Sequence, residues 1–244
     1  MDFTEDFTLS TILCDEDDRL TLWGLARLFQ DVAGDHSDSL NVGFEGLKPY
    51  NKAWVLTHVY YNILHFPTAG EKLTLKTWPR TDNGLIAPRD YQLIDSESNI
   101  CATSTSNWVI IDMTSRKVCR LRDIISRFTM SDVCSTKYDK LQKIQMPEGL
   151  IPLKKIEVPY SALDHTRHVN NAEYIKWICD SIPELCKPRN LGRKEIKEFE
   201  INYLRETKYG DDKVSINYME SCSEKYFQII NSHGISVNAK VSIL

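Results

Sequence analysis

Leu163-Asp164-His165-Thr166-Arg167-His168-Val169-Asn170-Asn171 runs straight into the apolar stretch Ala172 to Ile182, and this junction decides how the chain is read. A carboxylate, imidazoles and two carboxamides crowd together at the mouth of a helix. The unpaired N–H groups of a first helical turn favour negative charge there. Acid/base groups and hydrogen-bond donors are thus gathered where an oxyanion would develop, a set suited to hydrolysis of an activated acyl group. A strand-like run from Phe199 ends in Glu206, a further carboxylate able to face the same spot.

Working outward, residues Asn171 to Leu185 read as a helix, with Asn170 as its N-cap. A strand over Lys155 to Ser161 precedes the motif. Strands near Lys197 to Arg205, Lys213 to Met219, Tyr226 to Ile230 and Ile235 to Ile243 follow it. The first half has the same order. A strand over Phe7 to Leu13 and an acidic turn, Asp15 to Asp18, lead to a helix. Thr21 caps it, and Leu22, Leu25, Leu28, Phe29, Val32 and Ala33 form its apolar stripe. Strands follow over Trp54 to Phe66, Lys72 to Trp78, Arg89 to Ile94 and Ala102 to Asp112, with a short helix over Leu121 to Phe128. One long helix and a run of strands, occurring twice, predict an α+β protein of two units. The boundaries are residues 1–135 for the N-terminal unit, a polar linker over 136–150, and 151–244 for the C-terminal unit.

The register of the repeat sets Asp15 opposite Asp164, Arg19 opposite His168 and Leu28 opposite Trp177. Further on, Glu71-Lys72-Leu73-Thr74-Leu75 aligns with Asp212-Lys213-Val214-Ser215-Ile216, which sets His65 opposite Glu206. The halves share a pattern but not a chemistry, so one active site is expected, in the C-terminal half.

Composition narrows the alternatives. The 244 residues, 42% hydrophobic and 26% charged, describe a globular chain able to bury a full core. A net charge of −4 argues against nucleic acid as a partner. The acidic start, Met1 to Asp6, has no apolar signal core, and no run reaches the length of a membrane span. Seven scattered cysteines without C-x-x-C spacing fit a reduced, cytoplasmic compartment. Of these, Cys179 falls in the apolar rhythm of Tyr174, Trp177 and Ile178, a core position rather than a nucleophile. His165 and His168 are two possible ligands without a third, so neither a metal nor a cofactor is expected.

At these residues the sequence resembles the acyl–acyl carrier protein thioesterase family, and over nearly its whole length. The likeness covers Leu28 to Ser37, Trp54-Val55-Leu56-Thr57, Thr77-Trp78-Pro79, Arg89-Asp90-Tyr91 and Ala102 to Val109. In the second half it covers Asp164 to Asn171, Tyr174-Ile175-Lys176-Trp177 and Tyr203-Leu204-Arg205-Glu206. The resemblance implies two tandem hotdog units, each a long helix wrapped by an antiparallel β-sheet. The N-terminal unit would shape the acyl pocket and the C-terminal one would supply catalysis. It implies that Asp164, His168 and Glu206 are catalytic; Thr166, Asn170 and Asn171 are read beside them as supporting residues, the two asparagines chiefly as capping or loop residues. The family usually has asparagine where this chain has Thr166. At the place after the glutamate where a cysteine nucleophile has been proposed for the plant enzymes, it has Thr207. The implied substrate is a fatty acyl thioester of acyl carrier protein, hydrolysed to free fatty acid in fatty acid biosynthesis.

Trp54, Tyr60, Trp78 and Trp108 are candidates for the acyl pocket, although strand aromatics are more often core. An acidic carrier needs a local positive face on an acidic enzyme. Two clusters offer one: Arg116, Lys117, Arg120 and Arg122, or Lys187, Arg189, Arg193 and Lys194. Competing readings are an acyl-CoA thioesterase, a hotdog dehydratase and a non-catalytic acyl-binding module. Two units in one chain stand in for the dimer that single-unit relatives form, which leaves a homodimer open.

Overall fold

A computed structural model describes residues 2–81, 84–120, 124, 126–187, 192–211, 214–221 and 223–244. The chain divides into two compact units, Met1–Leu141 and Gln142–Leu244. Residues 136–141, read from composition as the start of the linker, pack with the N-terminal unit. The Thr136 hydroxyl meets that of Thr105 at 2.7 Å, the Tyr138 ring stands edge-on to Tyr60, and Asp139 pairs with Arg80.

In the N-terminal unit the strands are β1 (Phe3–Thr8), β2 (Lys52–Ile63), β3 (Lys72–Pro79), β4 (Ala87–Asp95), β5 (Ile100–Asp112) and the short β6 (Val118–Cys119). They pair antiparallel in the order β1-β3-β4-β5-β2, with β6 on β5. The first strand lies earlier than the expected Phe7 to Leu13. Ser10 accepts from the Ile12 amide and opens a 3-10 turn over Thr11–Leu13, which takes those residues out of the sheet. Helix α1 (Leu22–Ser39) begins where expected: the Thr21 hydroxyl accepts from the Gly24 N–H at 3.0 Å and donates to the Leu13 carbonyl at 2.9 Å. It runs unbroken through Gly34 and is followed by the single turn α2 (Phe44–Leu47). Leu25, Phe29 and Val32 of α1 are buried, and the Phe29 ring stacks on Tyr91 at 4.9 Å and on Tyr61 at 6.3 Å.

This core also holds a polar knot. Arg89 is only 6% exposed, and its Nη1 donates to Thr77 Oγ1 at 3.1 Å and to His36 Nδ1 at 3.0 Å. Arginine has no acceptor, so His36 receives with Nδ1 and is neutral. Burial, followed by the Arg89 cation, pushes the imidazole down to about 4. The Phe3 ring stacks on His36, and Phe128 lies edge-on to it and under the guanidinium.

In the C-terminal unit the strands are β7 (Ile151–Ile156), β8 (Ile196–Tyr203), β9 (Val214–Ser221), β10 (Glu224–Asn231) and β11 (Gly234–Ile243). They pair antiparallel in the order β7-β9-β10-β11-β8, strand for strand the order of the first unit. Helix α3 (Asn171–Cys179) buries Tyr174, Ile175 and Ile178, and the Tyr203 hydroxyl donates to the Asn171 carbonyl at 3.0 Å. It is shorter than the expected Asn171 to Leu185. Tightened bonds from Ser181 to Ile178 and from Ile182 to Cys179 close it just ahead of Pro183, whose ring cannot continue a helix.

Candidate active site in the C-terminal unit

The loop before α3 is built by its backbone. The Asp164 N–H donates to the His168 carbonyl at 2.9 Å, Arg167 N–H to the Asp164 carbonyl at 3.0 Å, and Asn170 N–H to the Ala162 carbonyl at 2.9 Å. Arg167 takes φ 65°, the left-handed geometry of a tight turn. Asn170 caps the helix, its side chain accepting from the Ala172 N–H at 2.9 Å, and Asn171 is the first helical residue.

The turn puts four side chains in a row. Asp164 Oδ1 accepts from the Thr166 amide at 2.8 Å, the Thr166 hydroxyl at 2.5 Å and the His168 amide at 3.4 Å. The Thr166 oxygen is 3.1 Å from His168 Nδ1, and His168 Nε2 is 3.1 Å from Glu206 Oε2. Asp164, Thr166, His168 and Glu206 therefore meet, as the sequence expectation requires. Glu206 arrives because the chain leaving β8 binds the loop: the Val169 N–H donates to the Thr207 carbonyl at 2.9 Å, and His168 bridges Lys208.

Residues that sequence reasoning passed over hold this junction. Asn231 Nδ2 donates to the Glu206 carbonyl at 3.0 Å and to Thr207 Oγ1 at 3.3 Å, and the buried Thr207 hydroxyl donates to Ser236 at 3.1 Å. Thr207 is thus a structural hydroxyl beneath the site. Tyr174, on α3, also bonds Thr207, and burial pushes its phenol up to about 12, so it stays neutral. The signal for Asn231 was its place at the tight turn between β10 and β11, where Asn favours local bonding. Burial pushes the Cys179 thiol up, which fits a packing role and not a nucleophile.

The N-terminal unit repeats this loop bond for bond. Asp15 N–H donates to the Arg19 carbonyl at 2.8 Å, Asp18 N–H to the Asp15 carbonyl at 3.1 Å, and Leu20 N–H to the Pro67 carbonyl at 2.9 Å. Asp18 matches Arg167 with φ 59°, and the Cys14–Leu20 bridge matches Leu163–Val169. Arg19 stands for His168, as expected. The other alignment changes by one residue: Leu64 and His65 donate to the Cys101 carbonyl as Leu204 and Arg205 donate to the Ser236 carbonyl. His65 therefore corresponds to Arg205, and Phe66 corresponds to Glu206.

The other expected residues are distributed as follows. Trp54 donates to the Val42 carbonyl at 2.8 Å and packs against Val42, Leu47 and Ile110. Trp78 donates to the Val133 carbonyl at 2.9 Å, and Trp108 to the Ser106 hydroxyl at 2.8 Å. Tyr60 is buried beside Tyr138. Tyr60 and Trp78 belong to the N-terminal core, whereas Trp54 and Trp108 are half-buried at its edge. Arg116, Lys117 and Arg120 are exposed around the turn between β5 and β6, whereas Lys187 and Lys194 are exposed and Arg193 half-buried ahead of β8. Arg122 and Arg189 lie outside the described residues, as does half of the segment read as a helix over Leu121 to Phe128. Among the described residues, one trio brings metal-type ligand atoms within 4.8 Å of one another: His65, Asp95 and Cys101. Asp95 is engaged in its own hairpin by Glu97 and Asn99, and burial pushes the Cys101 thiol up to about 12. No helix among the described residues is long and apolar enough to cross a membrane.

Comparison with known proteins bears on the chain as a whole. The oleoyl-acyl carrier protein thioesterase 2 of Arabidopsis thaliana chloroplasts is 23% identical over 243 residues, 90% of this chain and 64% of its own length. A palmitoyl-acyl carrier protein thioesterase of Gossypium hirsutum is 26% identical over 194 residues, 74% of this chain and 47% of its own. The chain thus spans less than two thirds of these plant relatives. Among solved structures, an acyl-ACP thioesterase from Bacteroides thetaiotaomicron superposes with a TM-score of 0.88 at 25% identity, covering 100% of this chain and 98% of that one. The 12:0-ACP thioesterase of Umbellularia californica gives 0.82 at 17% identity, covering 100% and 97%. The acyl-ACP thioesterase N-terminal domain matches residues 1–128 and the acyl-ACP thioesterase C-terminal domain residues 145–243. Matched in that order along one chain, they leave a single assignment: the chain belongs to the acyl-ACP thioesterase family, whose fold is a pair of tandem hotdog units.

Proposed function

We propose that this chain hydrolyses the thioester of a fatty acyl group carried by acyl carrier protein, releasing a free fatty acid, and that Asp164, His168 and Glu206 carry the reaction. The observation that supports this most directly is the 3.1 Å contact between His168 Nε2 and Glu206 Oε2, at a helix mouth in a chain of this family. In this reading the Glu206–His168 pair takes a proton from water as the water oxygen bonds to the thioester carbon. The positive end of the α3 dipole favours the oxyanion as it develops. Collapse of the tetrahedral intermediate breaks the carbon–sulfur bond, and the proton held by the pair passes to the departing thiolate. Asp164, which already accepts three hydrogen bonds from its own loop, orients the imidazole and does not attack the substrate.

The N-terminal unit, with the buried Tyr60 and Trp78 and the half-buried Trp54 and Trp108, is the proposed acyl holder. Carrier protein docks on one of the two basic clusters, Arg116-Lys117-Arg120 or Lys187-Arg193-Lys194. The decisive assay is thiol release from a panel of acyl-carrier and acyl-CoA thioesters of different chain length. Preference for the carrier-bound series is expected. Turnover of the coenzyme A series alone would refute the carrier assignment, and no turnover of either would refute hydrolysis. Charge reversal at the docking cluster raises KM for the carrier-bound substrate and leaves that for acyl-CoA unchanged.

A further inference from the structure

The row Asp164–Thr166–His168–Glu206 contains three side-chain contacts, at 2.5, 3.1 and 3.1 Å. Each needs one hydrogen between its heavy atoms. Neither ionised carboxylate has one to give, the Thr166 hydroxyl has one, and neutral imidazole has one. The shortest contact claims the hydroxyl hydrogen for Asp164 Oδ1, because a charge-assisted O–H···O⁻ bond is the strongest available to it. The hydroxyl then faces His168 with a lone pair only. For that contact to be a hydrogen bond, the proton must sit on Nδ1. The third contact, between Nε2 and Glu206, is left as the one place where a further proton can be held or released.

Resting on the hydrolase reading above, we infer that Thr166 is a positioning residue that fixes the tautomer of His168. By spending its only hydrogen on Asp164, it holds the imidazole as the Nδ1–H form. Nε2 is thereby left facing Glu206, and these two share the working proton. A carboxamide at this position, the residue usual in the family, has two donor hydrogens and an acceptor oxygen, so it can serve Asp164 and either tautomer of the histidine. The hydroxyl removes that ambiguity. Nothing in the turn requires a hydroxyl for its shape. The backbone bonds from Thr166, Arg167 and His168 to Asp164 set the loop, and the N-terminal unit builds the same loop with Asp17 at the matching position.

The test uses the full chain and two readouts. The first is side-chain nitrogen NMR of His168 in the wild type, Thr166→Val and Thr166→Ser, with the resonance assigned by its loss in His168→Gln. The wild type and Thr166→Ser are expected to carry the proton on Nδ1, and Thr166→Val to shift towards the Nε2–H form. Thr166 is exposed, and valine keeps its shape and its amide bond, so folding is not at stake. The second readout is steady-state hydrolysis. Losing tautomer control costs about 10⁴ in turnover where the partner is a buried carboxylate. With the half-buried carboxylate reached through a hydroxyl, kcat should fall roughly 10²-fold in Thr166→Val, KM should hold, and serine should restore the rate. Thr166→Val with unchanged tautomer and unchanged kcat overturns the inference. A wild type that cleaves no thioester while the tautomer still shifts supports the positioning role and overturns the hydrolase reading instead.

Discussion

Acidification should weaken the N-terminal unit through one residue. His36 is buried, accepts a hydrogen bond from Arg89, and has its imidazole pushed down to about 4 by burial and by that cation. Below the ordinary histidine value of about 6.5, the unfolded chain takes up a proton that the folded site refuses until about pH 4. Stability conferred by the neutral imidazole is therefore complete above about pH 7 and drains away as pH falls from 6.5 towards 4. Integrating over this window from pH 7.5 to 4.5 gives a loss of about 2.5 kcal/mol at 1.36 kcal/mol per unit. The comparison is urea unfolding of the wild type and His36→Gln, a side chain that still offers Arg89 an acceptor but does not titrate. Tryptophan fluorescence serves as the probe, because Trp23, Trp54, Trp78 and Trp108 all lie in the N-terminal unit. All other titrating groups are common to both proteins and cancel. The wild type should lose about 2.5 kcal/mol more than the variant, about 1 M in the urea midpoint for an m of about 2 kcal/mol/M. Equal losses in the two proteins would refute the argument from the Arg89–His36 contact.

Four other expectations are direct. Asp164→Asn, His168→Gln and Glu206→Gln should each lower kcat by about 10²- to 10⁴-fold with little change in thermal midpoint, and turnover left intact in all three would remove this corner as the site. Gly24→Ala should destabilise by about 2 kcal/mol in urea, because a Cβ there would stand 2.5 Å from the Leu13 carbonyl oxygen. Gly34→Ala, in the same helix but with open space around it, should stabilise by about 0.5–1 kcal/mol; a lowered urea midpoint there, or a raised one in Gly24→Ala, would contradict the respective account. Lys225 is 4% exposed and bonded to Glu184 at 2.9 Å and Glu220 at 3.0 Å, bonds that hold it above the lysine range against the opposing pull of burial. Lys225→Met should cost about 1–2 kcal/mol by denaturant titration, less than for a fully buried pair because both glutamates reach solvent; no loss would mean the ion pair is replaceable by packing.

The parts legible in the sequence were those governed by local chemistry. The caps at Thr21 and Asn170, the apolar stripe of α1 and the order of elements in each half all follow from side chains acting within a few residues. The meeting of Asp164, Thr166, His168 and Glu206 was legible because three of the four lie in one turn. What escaped depends on partners distant in sequence. Asn231 and Ser236 come from the opposite end of a hairpin, and the Arg89–His36–Thr77 knot joins a helix to two strands. Strand β7 shows no alternation to read, since its residues are almost all exposed and it pairs on β9 alone. The misplaced counterpart of Glu206 has a plain cause. Sequence likeness in β3 and β9 was carried back through a turn, Thr68 to Gly70 against Lys208 to Gly210, after which the second unit holds one more residue. A single inserted residue exchanges every pairing upstream of it.

The doubled loop also separates shape from reactivity. In the N-terminal copy the backbone bonds survive although an arginine and a phenylalanine stand at the places of His168 and Glu206, so the shape of the loop does not depend on those side chains. Asp15 is already in place there. Replacing Asp17, Arg19 and Phe66 with threonine, histidine and glutamate would reproduce the full side-chain set on a frame that needs no redesign. On the proposed reading the N-terminal half serves as a built-in control, in which each group can be installed singly and its worth measured against the unaltered loop.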